Sequence, residues 1–451
     1  ATIPRRRRKR KKKMNNARVK IIGAGLAGSD AAYFLAERGV KVELWEQKPE
    51  KRSPAHHSSD FCELVCSNSL KSDDALGNAC GLLKEEMRTL GSLVIAAADK
   101  TKVPAGGALA VDRDQFSRIV TETLKKHPNI EIVEKEAKDF PATEYTIVAT
   151  GPLTSDDLAE KIAERFGGNL YFYDAAAPIV TAESIDFSKA FIGDRYGKGS
   201  GDYVNCPLNR EEYEAFVEAL VGAEKAVQKD FEKRDVFDGC MPVEIMAQRG
   251  TDTLRFGMLK PVGLYDAEGK RPYAVLQLRK ENAEGTAYNL VGCQTNLKFP
   301  EQKRVFSMIP ALAHAEFARY GVMHRNTFLN APAVLNADYS AKEDPNLYFA
   351  GQMTGVEGYV ESAASGLCAA INLFLKIKGE LPAAWDAETV CGALSLHVST
   401  PRENFQPMNA NYAILAPLSQ NTRDKALKKR LYAERALEKI QELRARIDKI
   451  S

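Results

Sequence analysis

The chain has 451 residues, 44% of them hydrophobic, with 63 basic and 60 acidic side chains and a formal charge of +3. That is enough chain for about two to three domains of ~150 residues with real apolar cores. No run of about 18 apolar residues is present, so no membrane-spanning helix is expected. The eight cysteines are scattered and follow no secretory leader; this spacing points to reduced thiols and a cytoplasmic protein rather than a disulfide framework.

Nine of the basic residues fill positions 5–13, ahead of Met14. Without them 54 basic residues face 60 acidic ones, a net of −6. Residues 1–17 are therefore expected to be a basic extension, and any nucleic acid held by the body must use a local patch against an unfavourable overall charge.

Val19-Lys20-Ile21-Ile22 reads as a buried strand running into Gly23-Ala24-Gly25-Leu26-Ala27-Gly28. A helix over 29–38 follows, stopped by Gly39, and then a second strand over 40–45 that ends in Glu46. A Gly-x-Gly-x-x-Gly turn between strand and helix lets the backbone approach a pyrophosphate, which meets the helix N-terminus. An acidic residue about 20 positions on fits a ribose hydroxyl. Residues 23–28 and Glu46 are thus expected to bind a dinucleotide.

Cys62-x-x-x-Cys66 lacks a second pair or spaced histidines, so no metal site is expected. Cys66-Ser67-Asn68-Ser69 sets hydroxyl and amide groups beside a thiol, and His56 and His57 stand just upstream. A strand over 145–148 ends in the turn Gly151-Pro152. Between about 190 and 330 the texture changes, with a charged helix over 210–233 and short strands around 253–256, 273–278 and 287–291. Within it, Cys240 sits in the turn Gly239-Cys240-Met241-Pro242, flanked by Arg249, Arg255 and Lys260 as candidate phosphate contacts. A last strand over 346–350 ends in Gly351-Gln352, and Tyr359 precedes a small-residue helix over 361–373. The segment 421–451 carries ten basic and five acidic residues with Leu427, Leu431, Ile440, Leu443, Ile447 and Ile450 near helical spacing.

The order and spacing of several of these segments carry a resemblance. They are 23–28, Pro54-Ala55-His56, 66–73, 81–87, 103–109, Gly239-Cys240-Met241-Pro242, 260–264 and 351–365. Together they resemble the FAD- and folate-dependent tRNA uracil-5 methyltransferases. The resemblance runs from about Arg18 nearly to the C-terminus; only Cys62, where a small non-thiol residue is expected, and the basic arm depart from it. It implies an α/β fold: a glutathione-reductase-like, FAD-binding Rossmann domain with an inserted α+β substrate domain. The expected division is 18–190 for the first part of the FAD domain, 191–330 for the insert and 331–451 for the second part with a C-terminal helix.

The same resemblance implies C5 methylation of the T-loop uridine at tRNA position 54, giving ribothymidine. The carbon comes from 5,10-methylenetetrahydrofolate, the hydride from reduced FAD, and the reducing equivalents from NADH or NADPH. It places Cys240 as the nucleophile at C6 of the uracil. Cys66 is left to handle the one-carbon unit at the flavin or to assist proton removal, while Gly351, Gln352 and Tyr359 join the cofactor site. The T-arm of tRNA is the expected partner. A related rRNA uridine methyltransferase and the wobble-uridine flavoproteins of the GidA type remain alternatives, as does a flavoprotein that binds RNA without methylating it.

Overall fold

The computed structural model describes residues 17–450 apart from 54, 141–143, 168–169, 198–200, 227–240, 267, 384, 403–404 and 420–421. The first strand, Arg18–Ile22 (β1), runs through the glycines into helix Leu26–Glu37 (α1), and Lys41–Glu46 (β2) returns alongside it. Ser69–Ser72 (β3), helix Ala79–Leu90 (α2), Lys102–Val103 (β4) and Ala108–Val111 (β5) follow, the three strands forming a small sheet in the order β3-β5-β4. Ile130–Glu134 (β6) and Tyr145–Val148 (β7) return to the main sheet.

Leu170–Ala175 (β8) then leads to a second sheet, built from Ile179–Thr181 (β9), Phe191–Ile192 (β10), Tyr203–Leu208 (β11), Ala274–Lys280 (β12), Ala287–Leu290 (β13) and Phe317–Arg319 (β14). Its order is β10-β11-β12-β13-β9-β14, and every pairing is antiparallel. Helix Arg210–Gly222 (α3) covers it, opened by a capping box between Asn209 and Glu212. The return strand Met323–Phe328 (β15) pairs with β8, so the two form a ribbon that enters and leaves this unit together.

Leu347–Phe349 (β16) completes the first sheet as β16-β7-β1-β2-β6, all parallel. Strand order reverses at β1, whose neighbours are β2 on one side and β7 on the other. The C-terminal edge of such a reversal is where open α/β sheets bind ligands, and residues 23–28 stand there. Helix Tyr359–Lys378 (α4) is long and apolar enough to cross a membrane, yet 94% of that stretch is buried. It is a core helix, lying so close to α1 that a Cβ on Gly366 would come within 2.1 Å of the Ala27 carbonyl oxygen. Among the described residues two large cores result, one around the parallel sheet and one beneath the antiparallel sheet, with a small third cluster of Val103, Ala105 and Ala110.

One expected strand is a helix. Thr253–Phe256 forms a single α-helical turn, set between turns at Gly250 and Gly257. The last helix, Lys425–Asp448 (α5), buries Tyr432, Ala433, Ala436, Ile440 and Ile447. Ile440 and Ile447 are buried and Leu443 and Ile450 pack against the core as the spacing predicts, whereas Leu427 is left 44% exposed. Several of its basic residues are engaged within the chain: Arg435 on the carbonyls of Ala416 and Pro417, Arg444 on that of Thr89, and Lys439 on Glu388.

Candidate active site

The turn after β1 is held by backbone geometry that only glycine supplies at two points. Gly23 has φ +102°, and a Cβ there would lie 2.6 Å from the Ala149 carbonyl oxygen. A Cβ on Gly28 would come within 1.8 Å of the Gly23 carbonyl oxygen. Gly25 is different: it caps α1 with φ −75°, and a Cβ built on it meets nothing within 4 Å. The space over Gly25 belongs to a cleft of about 650 Å³ lined by Gly23, Ala24, Gly25, Glu46, His56 and Thr150 among others. Glu46 is buried there, and its two carboxylate oxygens accept the N–H groups of Ala24 (2.9 Å) and Lys48 (3.1 Å). That fixes the acidic strand end to the glycine turn while leaving lone pairs for a hydroxyl.

The segment after the cleft carries the chain to a second cluster. The N–H of Cys62 donates to the Ala24 carbonyl at 3.0 Å. Four residues later, at most about 14 Å of extended chain, Cys66 meets Tyr359 at the N-terminus of α4. Its Sγ lies 2.9 Å from the Tyr359 hydroxyl. That oxygen also accepts the N–H groups of Cys66 (2.8 Å) and Ser67 (3.4 Å). Burial, and then the neighbouring Cys66, pushes the Tyr359 phenol well above its ordinary value, so it is a neutral O–H. With two backbone N–H groups donating to its oxygen, the phenol is placed to donate its own proton to the sulfur.

Arginines of the second sheet and of the helix Arg113–Lys126 brace this cluster. Arg279 on β12 reaches across to Asn68 Oδ1 (2.9 Å) and Ser67 Oγ (2.8 Å), and Asn68 returns a bond to the Lys280 carbonyl. Arg113 pairs with Glu281 at 2.9 Å and donates to the Leu64 carbonyl, while Arg319 donates to the Ala55 carbonyl. On the far side Lys71 pairs at 3.2 Å with Glu361, a fully buried carboxylate in the first turn of α4.

The structure brings Gly351 against the dinucleotide turn: its ideal Cβ would be 3.3 Å from Ala27 Cβ, and its N–H donates to Ser365 Oγ at 2.6 Å. Leu26 and Ala27 do not line the cleft; Ala27 instead carries the close approach of α4. Gln352 turns away, its Nε2 donating to Glu357 at 2.6 Å. Cys62 is buried, with its thiol pushed up to about 12 by desolvation, so the residue out of pattern is an inert wall of the cleft. Cys206 is likewise buried and raised to about 12. Arg255 lies over the Tyr273 ring at 4.0 Å and donates through Nε to its carbonyl. Cys240 lies outside the described residues. The flanks of its segment are placed, since Ala226 N–H bonds the Asn296 carbonyl and Val243 N–H bonds that of Gln294.

Sequence reasoning missed Arg113, Arg279, Arg319 and the strip 405–410. A signal existed for Arg279: it follows a largely apolar run in a strand buried on both faces, and a charge buried there needs a partner. The strip gave none. Its Met408 exchanges backbone bonds with Gly355 and Glu357, and Ala410 N–H bonds Glu361, contacts with no local sequence pattern.

The family described as glucose inhibited division protein A (GidA) matches residues 18–381. The chain is 58% identical over 427 residues to the methylenetetrahydrofolate--tRNA-(uracil-5-)-methyltransferase TrmFO of Acetivibrio thermocellus, covering 94% of this chain and 98% of the relative. The chain belongs to the TrmFO family. The Geobacter sulfurreducens TrmFO is also 58% identical, over 93% of this chain and 97% of its own length. Among solved structures, Aquifex aeolicus GidA superposes with a TM-score of 0.69 at 16% identity, covering 96% of this chain and 76% of that one. That likeness establishes the shared fold.

Proposed function

We propose that this chain methylates C5 of a uridine in tRNA with the one-carbon unit of 5,10-methylenetetrahydrofolate, and that the target is the T-loop uridine at position 54. The observation that carries the reading is the Cys66 thiol, 2.9 Å from a proton-bearing phenol and one short segment from a dinucleotide cleft. The full-length likeness to TrmFO proteins supports it.

The residues at the cleft fit FAD. The open side of Gly25 leaves room for a pyrophosphate at the N-terminus of α1, and Glu46 stands where a ribose hydroxyl would be accepted. FAD, when bound, supplies the hydride that takes methylene to methyl, with NADH or NADPH as the reductant. Everything else falls to the chain. Uracil C5 is a weak nucleophile until a thiolate adds to C6; we assign that addition to Cys240. C5 then attacks the methylene carbon as one of its bonds to folate nitrogen opens. The C5 proton leaves, and tetrahydrofolate is eliminated as its second C–N bond breaks. Hydride addition to the resulting exocyclic methylene expels the Cys240 thiolate and restores the C5–C6 double bond. Cys66 is the group we assign to take the C5 proton. The Tyr359 O–H donating to Sγ favours the thiolate form needed for the task. Arg279, by fixing Ser67 and Asn68, holds the thiol in place. The enzyme is read as cytoplasmic.

The test incubates the purified protein with an unmodified transcript, methylenetetrahydrofolate and NADPH, and maps the methylated nucleotide. Ribothymidine at position 54 is the expected product. A product confined to rRNA, or carboxymethylaminomethyl modification at the wobble position, would replace this reading with one of the alternatives.

A further inference from the structure

We propose that Tyr196 and Val262, on the outer loops of the second sheet, form a platform on which a base of the substrate RNA next to the target stacks, with its phosphate beside Lys260; this rests on the RNA-modifying reading above. Large apolar side chains are concentrated there without cover. Ile192 is 65% exposed, Tyr196 64%, Tyr265 60% and Val262 44%. Tyr196 is held in place rather than left loose. Its φ is +59°, a left-handed conformation that L residues with side chains rarely adopt. Its N–H donates to the Gly263 carbonyl at 2.9 Å, and its ring lies so close to Gly263 that a Cβ there would sit 2.9 Å from it. An aromatic ring fixed at a strained backbone position and yet turned to solvent gains nothing from burial; the inference from such an outlier is to function.

The loops are tied together and to the active site. Arg195 donates through Nη1 to the carbonyls of Lys260 (2.7 Å) and Val262 (3.0 Å), and through Nε to Gln277 at 3.0 Å. Gln277 is two residues along β12 from Arg279, about 7 Å of strand, and Arg279 is the residue that fixes Ser67 and Asn68 beside Cys66. One strand, β12, therefore carries the contacts that hold both the platform loops and the thiol cluster. Lys260, Lys270 and Arg271 are exposed around it, and the Asp266 carboxylate is occupied by the N–H groups of Glu268 and Lys270. In a body with net negative charge, this is the local basic and aromatic combination that unstacked RNA requires.

The test uses the full FAD-loaded chain with two substitutions. Tyr196→Phe keeps the ring, and Tyr196→Asn removes it while tolerating the left-handed backbone. Transcript affinity is read directly by fluorescence anisotropy and, in turnover, as KM for transcript against KM for folate. Tyr196→Asn should weaken transcript binding roughly tenfold and leave KM for folate unchanged, while Tyr196→Phe stays within about twofold of wild type. Lys260→Gln should flatten the salt dependence of binding by about one unit of slope. Unchanged transcript affinity in Tyr196→Asn, with flavin content and melting temperature retained, overturns the proposal. So does a smaller sedimenting species in that variant at unchanged affinity, which would make the face a contact between copies. Because binding is read without turnover, a protein that binds transcript but does not methylate it fails the functional reading alone.

Discussion

Gly25 and Gly28, in the turn after β1, should respond to substitution in opposite ways, and the contrast follows from what each Cβ would meet. At Gly25 an added Cβ finds nothing within 4 Å, and φ of −75° suits any residue. Replacing it by Val should leave the apo-protein within about 1 kcal/mol of wild type, since the weaker N-cap is offset by lower unfolded-state entropy. The side chain then occupies the space left for the pyrophosphate. Binding of FAD at 100 times its Kd adds about 2.7 kcal/mol to stability, and that increment should vanish. At Gly28 the Cβ would come within 1.8 Å of a backbone oxygen, so Gly28→Ala should lose at least the ~3 kcal/mol at the top of the usual overpacking range. The assay is a pair of thermal melts, with and without FAD, alongside flavin absorbance after gel filtration. A Gly25→Val protein that keeps its flavin and its FAD-dependent stabilisation would refute the placement, as would a Gly28→Ala protein as stable as wild type.

Three further outcomes are expected. Cys240→Ala should bind FAD and RNA but form no ribothymidine, and it should not trap the covalent complex that 5-fluorouridine RNA forms with wild type; a trapped adduct lost in Cys66→Ala instead would exchange the two roles. Arg279→Lys should keep its flavin but lower kcat by at least about tenfold, because one ammonium cannot hold both Ser67 and Asn68; equal kcat would show that Cys66 needs no such brace. Burial raises Asp30 from 3.8 to about 7 despite bonds from Ser92 and Val94. The folded chain therefore binds the extra proton between these values, and stability falls as pH rises through that window, by up to ~1.4 kcal/mol per unit. Asp30→Asn should flatten that slope in urea melts between pH 5 and 7, and parallel profiles would discount the shift.

The parallel sheet was legible because its signals are local: an apolar strand, a glycine turn, a small-residue helix and an acidic strand end follow one another within residues 18–46. The thiol cluster was legible only in part. Cys66 and Tyr359 are 293 positions apart, and only the meeting of the 62–66 segment with the start of α4 joins them. Arg279 reaches the same loop from another sheet, a contact that depends on the packing of two units. At Thr253–Phe256 the alternation of apolar and polar residues suggested a strand, and the surrounding turns decided for a helix. On α5 the helical spacing of apolar residues was legible, but the contacts by which Arg435, Lys439 and Arg444 hold the helix to the body are long-range and left no local pattern.

The central claim is the origin of the methyl group. Wild-type protein with unmodified transcript, NADPH and methylenetetrahydrofolate deuterated in its methylene group should give ribothymidine with deuterium in the methyl, by mass spectrometry of the released nucleoside. Added unlabelled S-adenosylmethionine should not dilute the label. Methylation that proceeds from S-adenosylmethionine without folate would contradict the account, even with FAD bound at Gly25.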